Sequence, residues 1–189
     1  MKNTFLLVLL ILFNQLFCIG QSSTLSVKVI LTNNDTLIEK IRVQTNLFHH
    51  DLLNELSVNK RIIVVDTFNK RGIIKATDIK KMTFTDFKQK ERTFIGVFWG
   101  SYDNTLKELL YDGKIKWYKE YNRNNYDGSA VVINIFVDEK NEMVRIGLFT
   151  NIKKKLKELT KSKSALIELI DNTKLTDENI LMILKKYDE

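Results

Sequence analysis

Apolar and polar residues alternate with a period of two along most of this chain, from Gln21 to residue 149. Successive side chains of a β-strand point to opposite faces of a sheet, so the alternation predicts strands with one buried and one solvated face. The clearest case is a hairpin in which Leu25 to Leu31 and Leu37 to Val43 are strands joined by a turn at residues 32–35. A chain with this pattern folds around an antiparallel sheet.

Further strands are predicted by short apolar runs bounded by turn residues. Asp112-Gly113 is a hairpin turn between strands at residues 106–111 and 114–121. Ala130 to Val137 is apolar on both faces, which predicts a central strand that is covered on both sides. In total we expect seven to nine strands in a twisted antiparallel sheet or partial barrel.

From Thr150 onward the apolar period becomes helical. Three apolar stripes follow one another, carried by Ile152, Leu156 and Leu159, by Leu166, Leu169 and Ile170, and by Ile180, Ile183 and Leu184. Thr176 is the expected N-cap of the third helix. Each helix has one narrow apolar face, so we expect the helices to pack on the sheet. The predicted fold class is therefore α+β, a single domain over residues 21–189 with a β-rich part (21–149) and two or three C-terminal helices (150–189).

The first twenty residues have the features of a secretory signal peptide. Lys2 precedes an apolar run from Phe5 to Phe13, which is shorter than the roughly 20 residues that a membrane-spanning helix needs. Cys18-Ile19-Gly20 places small residues before a cut at Gln21, and the remaining chain has no cysteine, which suits an oxidising compartment. We expect export to the periplasm or the cell exterior, without a transmembrane span after signal removal. The alternatives are a lipoprotein anchored through Cys18 and a buried N-terminal strand.

Sequence motifs that carry catalysis or bind cofactors are not found. The seven glycines form no dinucleotide-binding, P-loop or nucleophile-elbow pattern. His49 and His50 are the only histidines, and adjacent side chains point in different directions, which argues against one metal ion held by both. Several acids occupy turn-like positions, namely Asp66, Asp78, Asp86, Asp103 and Asp112. The sequence therefore predicts no catalytic, cofactor or metal site, and a carboxylate pair is the one enzymatic alternative.

Aromatic residues are concentrated between positions 94 and 121. Aromatic side chains on strands usually belong to a core. In the alternative interpretation, a half-exposed Trp-Tyr face stacks on sugar rings or on a peptide.

Positive charge is the most informative surface feature. Of 30 basic residues, 29 remain once Lys2 leaves with the signal, against 23 acidic residues, a net charge of +6. Residues 60–92 alone carry ten basic and four acidic residues, which is the same net charge. This segment is therefore the predicted positive face, where any anionic partner binds. The candidate residues are Lys80, Lys81, Lys88, Lys90 and Arg92. In the alternative interpretation, these charges only keep the protein soluble.

Nucleic acid is not an expected partner of this basic chain. Lysine outnumbers arginine 24 to 6, whereas bidentate recognition of bases and phosphates favours arginine. Export also separates the protein from nucleic acid. We therefore expect the partner to be an anionic envelope component or another envelope protein.

The whole chain resembles small exported proteins of unknown function from Bacteroidota-type bacteria. The resemblance lies in the signal ending at Gly20-Gln21, the opening hairpin LSVKVILTNNDTLIEKIRVQ, the segment ELLYDGKIKWYKEY and the helical tail after Thr150. It implies a location and no activity. The function predicted from the sequence is a non-enzymatic binding or scaffolding component of the envelope, and the alternative is an envelope-polymer hydrolase that uses a carboxylate pair.

Export should remove residues 1–20. Mass spectrometry of the exported protein is expected to find its N-terminus at Gln21 or within a few residues of it, because the apolar run and the small residues before Gln21 define the cleavage site. An intact Met1, or a diacylglycerol group on Cys18, would contradict this prediction.

Overall fold

Ten antiparallel strands form one open, twisted sheet in the computed structural model of the chain, which describes residues 22–46, 49–65, 71–100, 103–126, 128–147 and 150–189. The strands are β1 (Ser22–Leu31), β2 (Thr36–Gln44), β3 (Arg61–Val65), β4 (Arg71–Lys75), β5 (Ile79–Thr85), β6 (Glu91–Ile95), β7 (Lys107–Asp112), β8 (Lys116–Arg123), β9 (Ala130–Val137) and β10 (Met143–Ile146). The predicted α+β fold is confirmed, with one strand more than the upper expectation. The predicted signal peptide lies outside the described residues.

The sheet grows outward in both directions from β1. Its order is β10-β9-β8-β7-β6-β5-β1-β2-β3-β4, so β5 returns to the free side of β1 after the first four strands have formed a meander. The predicted first hairpin is confirmed, and Leu25 lies directly opposite Ile41 in it. Inward-facing residues of β1, β2, β5 and β6, such as Val29, Ile41 and Phe94, form the larger of two principal cores.

Three helices follow the sheet, as the apolar stripes predict. They are α1 (Ile152–Leu159), α2 (Ala165–Asn172) and α3 (Asp177–Asp188). Thr176 is the N-cap of α3, and its hydroxyl accepts a hydrogen bond from the Asn179 amide at 3.4 Å. At the other end of α3, the Asp188 carboxylate accepts hydrogen bonds from the Tyr111 hydroxyl (2.5 Å) and the Lys114 amide (3.1 Å) in the β7–β8 hairpin. The third helix is thus fastened to the sheet by its last turn.

The helices pack against one end of the sheet and form a second core there. Trp117, Phe136 and Ile146 supply the sheet side of this core, and the Trp117 and Phe136 rings stack at 5.9 Å. The prediction that β9 is central and covered on both sides is correct in part. Its second half is covered on both sides, with Phe136 buried on one face and Ile135 and Val137 on the other, but the strand is not central. It lies next to the edge strand β10, and its first half is only partly covered, since Val132 is 41% exposed. An apolar run alone cannot distinguish a central strand from a strand next to the edge.

Most aromatic residues between positions 94 and 121 belong to these cores, as the main interpretation predicts. Phe94, Trp117 and Tyr121 are buried on the inner side of the sheet. Tyr118 is buried on the opposite side, where Trp99 meets its ring edge-on at 5.5 Å. None of the helices in the described part of the chain is long and apolar enough to cross a membrane.

Truncation of a buried isoleucine in α3 should show that the helices belong to the core. Ile183→Ala is expected to lower the free energy of unfolding by about 2–5 kcal/mol, because Ile183 is 0% exposed and its removal leaves a cavity. The matched control is Ile38→Ala on a strand, where the side chain is 79% exposed and we expect a change within about 0.5 kcal/mol. Equal effects of the two substitutions in urea unfolding would contradict the packing of α3.

Candidate functional site: a basic face and an end groove

The outward-facing side of β1 to β5 is basic. Directly opposed residues of neighbouring strands share a face, so the register assigns every position. The outward-facing cations of these strands are Lys28, Lys40, Arg42, Arg61, Lys75 and Lys81. No acidic residue is found at the outward-facing positions described on the same five strands. We refer to these six residues as the basic face.

Two cations of the basic face stand directly opposite each other. Arg61 of β3 pairs with Lys75 of β4 in the antiparallel register. Like charges at such positions destabilise a sheet, because the Cβ atoms are only about 4.5–5.5 Å apart. Within the described residues, neither side chain forms an ion pair with a carboxylate. The pair is therefore a local excess of positive charge that the described chain leaves uncompensated.

An end groove continues the basic face beyond the end of β2. It consists of two adjoining depressions of about 650 and 530 Å³, which share Gln44, Leu56 and Lys60 in their walls. The first also contains Arg42 and Arg61. The second contains Arg123 and the amides of Asn54, Asn59, Asn122 and Asn125. No acidic residue lines either depression among the described residues.

Residues 54–60 form the wall between the two depressions, and hydrogen bonds fix them on both sides. The Asn54 amide donates to the Gln44 carbonyl at 2.9 Å, and the Asn54 side chain caps a short 3-10 helix at Glu55–Ser57. The Asn59 side-chain amide donates to the Tyr121 carbonyl at 2.6 Å. We refer to this segment as loop 54–60. It joins strands that are far apart in the sequence, so the groove has a preformed shape.

A buried ion cluster lies beside loop 54–60 and holds it to the sheet. The guanidinium of Arg92 donates to Glu108 at 2.5 and 2.8 Å, to Glu55 at 3.0 Å and to Asp86 at 3.4 Å. The Tyr121 hydroxyl also donates to Glu108. These five residues form the ion cluster, and Glu55 is its link to the loop.

Arg92 and Tyr121 keep their protons inside the ion cluster. Burial acts to lower the pKa of Arg92, but the hydrogen bond and the charge of Glu108 outweigh it and raise that pKa. Burial, and then the negative charge of Glu108, raises the pKa of the Tyr121 hydroxyl. The guanidinium is therefore charged and the phenol neutral at ordinary pH. This arrangement stabilises a fixed geometry, whereas general acid-base catalysis uses groups whose pKa lies near the working pH.

The residues predicted to bind an anion do not form one patch. Lys80 and Lys81 follow the first residue of β5, and Lys88 and Lys90 lie in the turn after that strand, roughly 15–20 Å away. Charges at that separation are screened from each other at physiological salt, where the Debye length is about 8 Å. The prediction is wrong for Arg92, which is 8% exposed and belongs to the ion cluster.

Two of the four lysines also bond elsewhere within the protein. The Lys80 ammonium donates to the Asn34 side chain at 2.8 Å, and Lys88 lies 3.4 Å from the Asp51 carboxylate. Only Lys81 belongs to the basic face. Most of that face lay outside the predicted set, although the alternation of the first hairpin was sufficient to place Lys28, Lys40 and Arg42 on its solvated side.

Carboxylates meet at one further cavity, of about 320 Å³. Its acidic wall residues are Asp138, Glu139, Glu142 and Glu158. Asp138 accepts hydrogen bonds from two backbone amides of its own turn. A hydrogen bond from Lys155 lowers the pKa of Glu158, whereas the general acid of a glycosidase needs a raised pKa. Glu158 is therefore poorly suited to the role of general acid in a catalytic carboxylate pair.

His49 and His50 are both exposed. The described residues contain no group of three or more side chains placed to hold a metal ion.

Comparison with known proteins finds no matching family model, no similar curated protein and no similar solved structure.

Replacement of Arg92 should destabilise the whole protein, and replacement of Glu55 should loosen only loop 54–60. We expect Arg92→Met to cost about 3–5 kcal/mol, because it leaves buried carboxylates without their cation. Glu55→Gln keeps a neutral acceptor and should cost about 1 kcal/mol, with faster amide hydrogen exchange at Leu56 and Val58. The control is Lys88→Met, an exposed cation with a surface partner, for which we expect little change. A similar cost for Lys88→Met and Arg92→Met in urea unfolding would show that the ion cluster is not a stabilising centre.

Proposed function

We propose that this protein is a non-enzymatic binding component of the bacterial cell envelope, which holds an anionic envelope polymer on its basic face. The observation that carries the proposal is the separation of charge. Six cations point outward from five adjacent strands, and the described outward-facing positions of these five strands contain no acidic residue; Glu91 faces the same side on the next strand, β6. A polymer with repeated negative charges can contact several of these cations at once, whereas a small anion can contact only one or two.

The spacing of the basic face suits a polymer. Neighbouring strands lie about 4.8 Å apart, and alternate residues of one strand are separated by about 6.6 Å. Lys28, Lys40 and Lys81 lie on three consecutive strands, β1, β2 and β5. Lys28 lies one strand and two residues from each of the other two, about 8 Å, which is close to the Debye length at physiological salt, whereas Lys40 and Lys81 are about 16 Å apart. A bound chain that crosses the three strands can therefore contact Lys28 together with either neighbour.

The proposed location rests on the N-terminal sequence. Lys2, the apolar run Phe5 to Phe13 and the small residues before Gln21 support export to the periplasm or the cell exterior. Anionic polymers and lipids are the abundant negatively charged partners in that compartment. The resemblance to small exported proteins supports the same location.

The basic face can be tested with three substitutions. In Lys28→Gln/Lys40→Gln/Lys81→Gln, three exposed cations are removed from three strands without touching a core. Retention of the signal-free protein on immobilised dextran sulfate should fall to near background in this variant, and retention of the parent should weaken steeply between about 50 and 200 mM salt.

The matched control removes the same charge elsewhere, in Lys80→Gln/Lys88→Gln/Lys90→Gln. We expect this control to be retained nearly as well as the parent, because its lysines do not share the basic face. Equal losses in the two triple variants would show that only net charge matters. Strong retention of both, or no retention of the parent, would overturn the proposal.

A further inference from the structure

We propose that the end groove selects an acidic polysaccharide, one whose sugar rings carry both carboxylates and hydroxyl groups. This inference rests on the proposed function and adds the chemical class of the polymer. It is drawn from the side-chain amides and the exposed tyrosine that accompany the positive charge at the groove. Neither a phosphate polymer nor a membrane surface has groups that match all of them.

Three cations in the first depression are suited to a carboxylate. Arg42, Lys60 and Arg61 line it, and Arg42 and Arg61 come from neighbouring strands. Arg42 donates one hydrogen bond to the Ser22 hydroxyl at 2.8 Å and keeps its other N–H groups. Within the described residues none of the three forms an ion pair with a carboxylate. A planar guanidinium matches a carboxylate by two parallel hydrogen bonds, which an ammonium cannot form.

The second depression is rich in side-chain amides. Gln44, Asn54, Asn59, Asn122 and Asn125 all line it. Each amide presents a donor and an acceptor next to each other, and a sugar hydroxyl also both donates and accepts. A phosphate or sulfate oxygen only accepts, so it would leave the amide carbonyl oxygens unmatched. The amides therefore favour hydroxyl groups over a second row of anions.

Two of these amides are available for a ligand. The side chains of Gln44 and Asn125 are exposed and form no hydrogen bond with the described residues. Asn54 and Asn59, in contrast, are engaged in holding loop 54–60. The groove thus combines fixed walls with unused polar groups, an arrangement that limits the ordering cost of binding.

An exposed aromatic residue lies next to the groove in the sequence, although its side chain is not part of the groove wall. Tyr126 follows Asn125 directly and is 100% exposed, the highest value among the exposed large hydrophobic residues described in the structure. Its backbone is held by a hydrogen bond from its amide to the Asn124 side chain at 3.0 Å. An aromatic ring with a polar end can pack on the apolar face of a sugar while its hydroxyl remains in water. This residue supplies the third element that an acidic sugar would use.

The test compares two soluble probes that carry the same number of carboxylates. Trigalacturonate has three carboxylates on sugar rings, and tricarballylate has three carboxylates on a short chain without rings or hydroxyls. We expect the parent protein to bind trigalacturonate at least about tenfold more tightly in calorimetry, a difference of about 1.4 kcal/mol. Equal affinities would overturn the sugar assignment, even if retention on dextran sulfate confirms the basic face.

Variants separate the contribution of the amides and the ring from that of charge. Gln44→Ala/Asn125→Ala/Tyr126→Ala removes no charge and should abolish the preference for trigalacturonate while retention on dextran sulfate is unchanged. Arg42→Gln/Arg61→Gln should weaken the binding of both probes. If the first variant still binds trigalacturonate more tightly than tricarballylate, the amides and the tyrosine ring do not recognise the sugar.

A membrane arm completes the experiment. Vesicles of phosphatidylglycerol present negative charge on a flat surface that cannot enter a recessed groove. We expect trigalacturonate to bind under conditions in which vesicle binding is weak and unaffected by Gln44→Ala/Asn125→Ala/Tyr126→Ala. Vesicle binding without trigalacturonate binding would make the basic face a membrane contact and would overturn the inference. Circular dichroism of each variant checks that the fold is retained.

Discussion

The contact of Arg92 with Glu108 is the interaction on which the rest of this structure depends. It lies on the inner side of the sheet, and the same guanidinium reaches Glu55 in loop 54–60 and Asp86 in the turn between β5 and β6. One side chain thereby connects two neighbouring strands, a turn and the wall of the end groove. Removal of the cation from a buried ion pair costs more stability than the pair contributes. The carboxylates that remain are still buried, where water cannot solvate their charge.

The ion cluster also explains how a polar groove can exist at the edge of an apolar core. Glu55 belongs to a 3-10 helix of only three residues, which has too few hydrogen bonds to hold its own position. The Glu55 carboxylate is held in place by its ion pair with Arg92. Asn59 is hydrogen-bonded to the Tyr121 backbone, and Asn54 to the Gln44 backbone. Loop 54–60 is thus attached to the rest of the protein near its start, through Asn54 and Glu55, and near its end, through Asn59.

The fold could be read from the sequence in most respects, because the alternation of side chains and the helical stripes are local properties. The first hairpin, the Asp112-Gly113 turn and the Thr176 cap all occur as expected. The central position assigned to β9 was wrong, since neighbours of a strand depend on the topology of the whole sheet. Arg92 was misplaced for the same reason. Its burial requires Glu108 and Glu55, which lie 16 and 37 positions away in the chain.

The candidate site was harder to predict because its parts come from separate segments. A net charge summed over residues 60–92 locates Arg61, Lys75 and Lys81, but it also includes Lys88, Lys90 and the buried Arg92, and it omits the cations of β1 and β2. The pairing of β3 with β2 and the return of β5 to the side of β1 bring the two sets together. A charged face built across strands is a property of strand order, which no window along the sequence contains.

Two ordinary explanations of surface lysines do not account for the basic face. Positive charge on an edge strand prevents the sheet from pairing with other chains, which suits Lys75 of β4. However, Lys28, Lys40 and Lys81 lie on β1, β2 and β5, each of which has a strand on both sides. Solubility requires net charge but does not require that acids be kept away from five adjacent strands. Elsewhere in the molecule cations and acids are mixed, as in the pairs Lys119–Asp177 and Lys157–Asp171. The segregation is confined to β1 to β5, because Glu91 of β6 and Glu120 of β8 face the same side of the sheet. These five strands also contain the uncompensated Arg61–Lys75 pair, where a bound anion would relieve the repulsion.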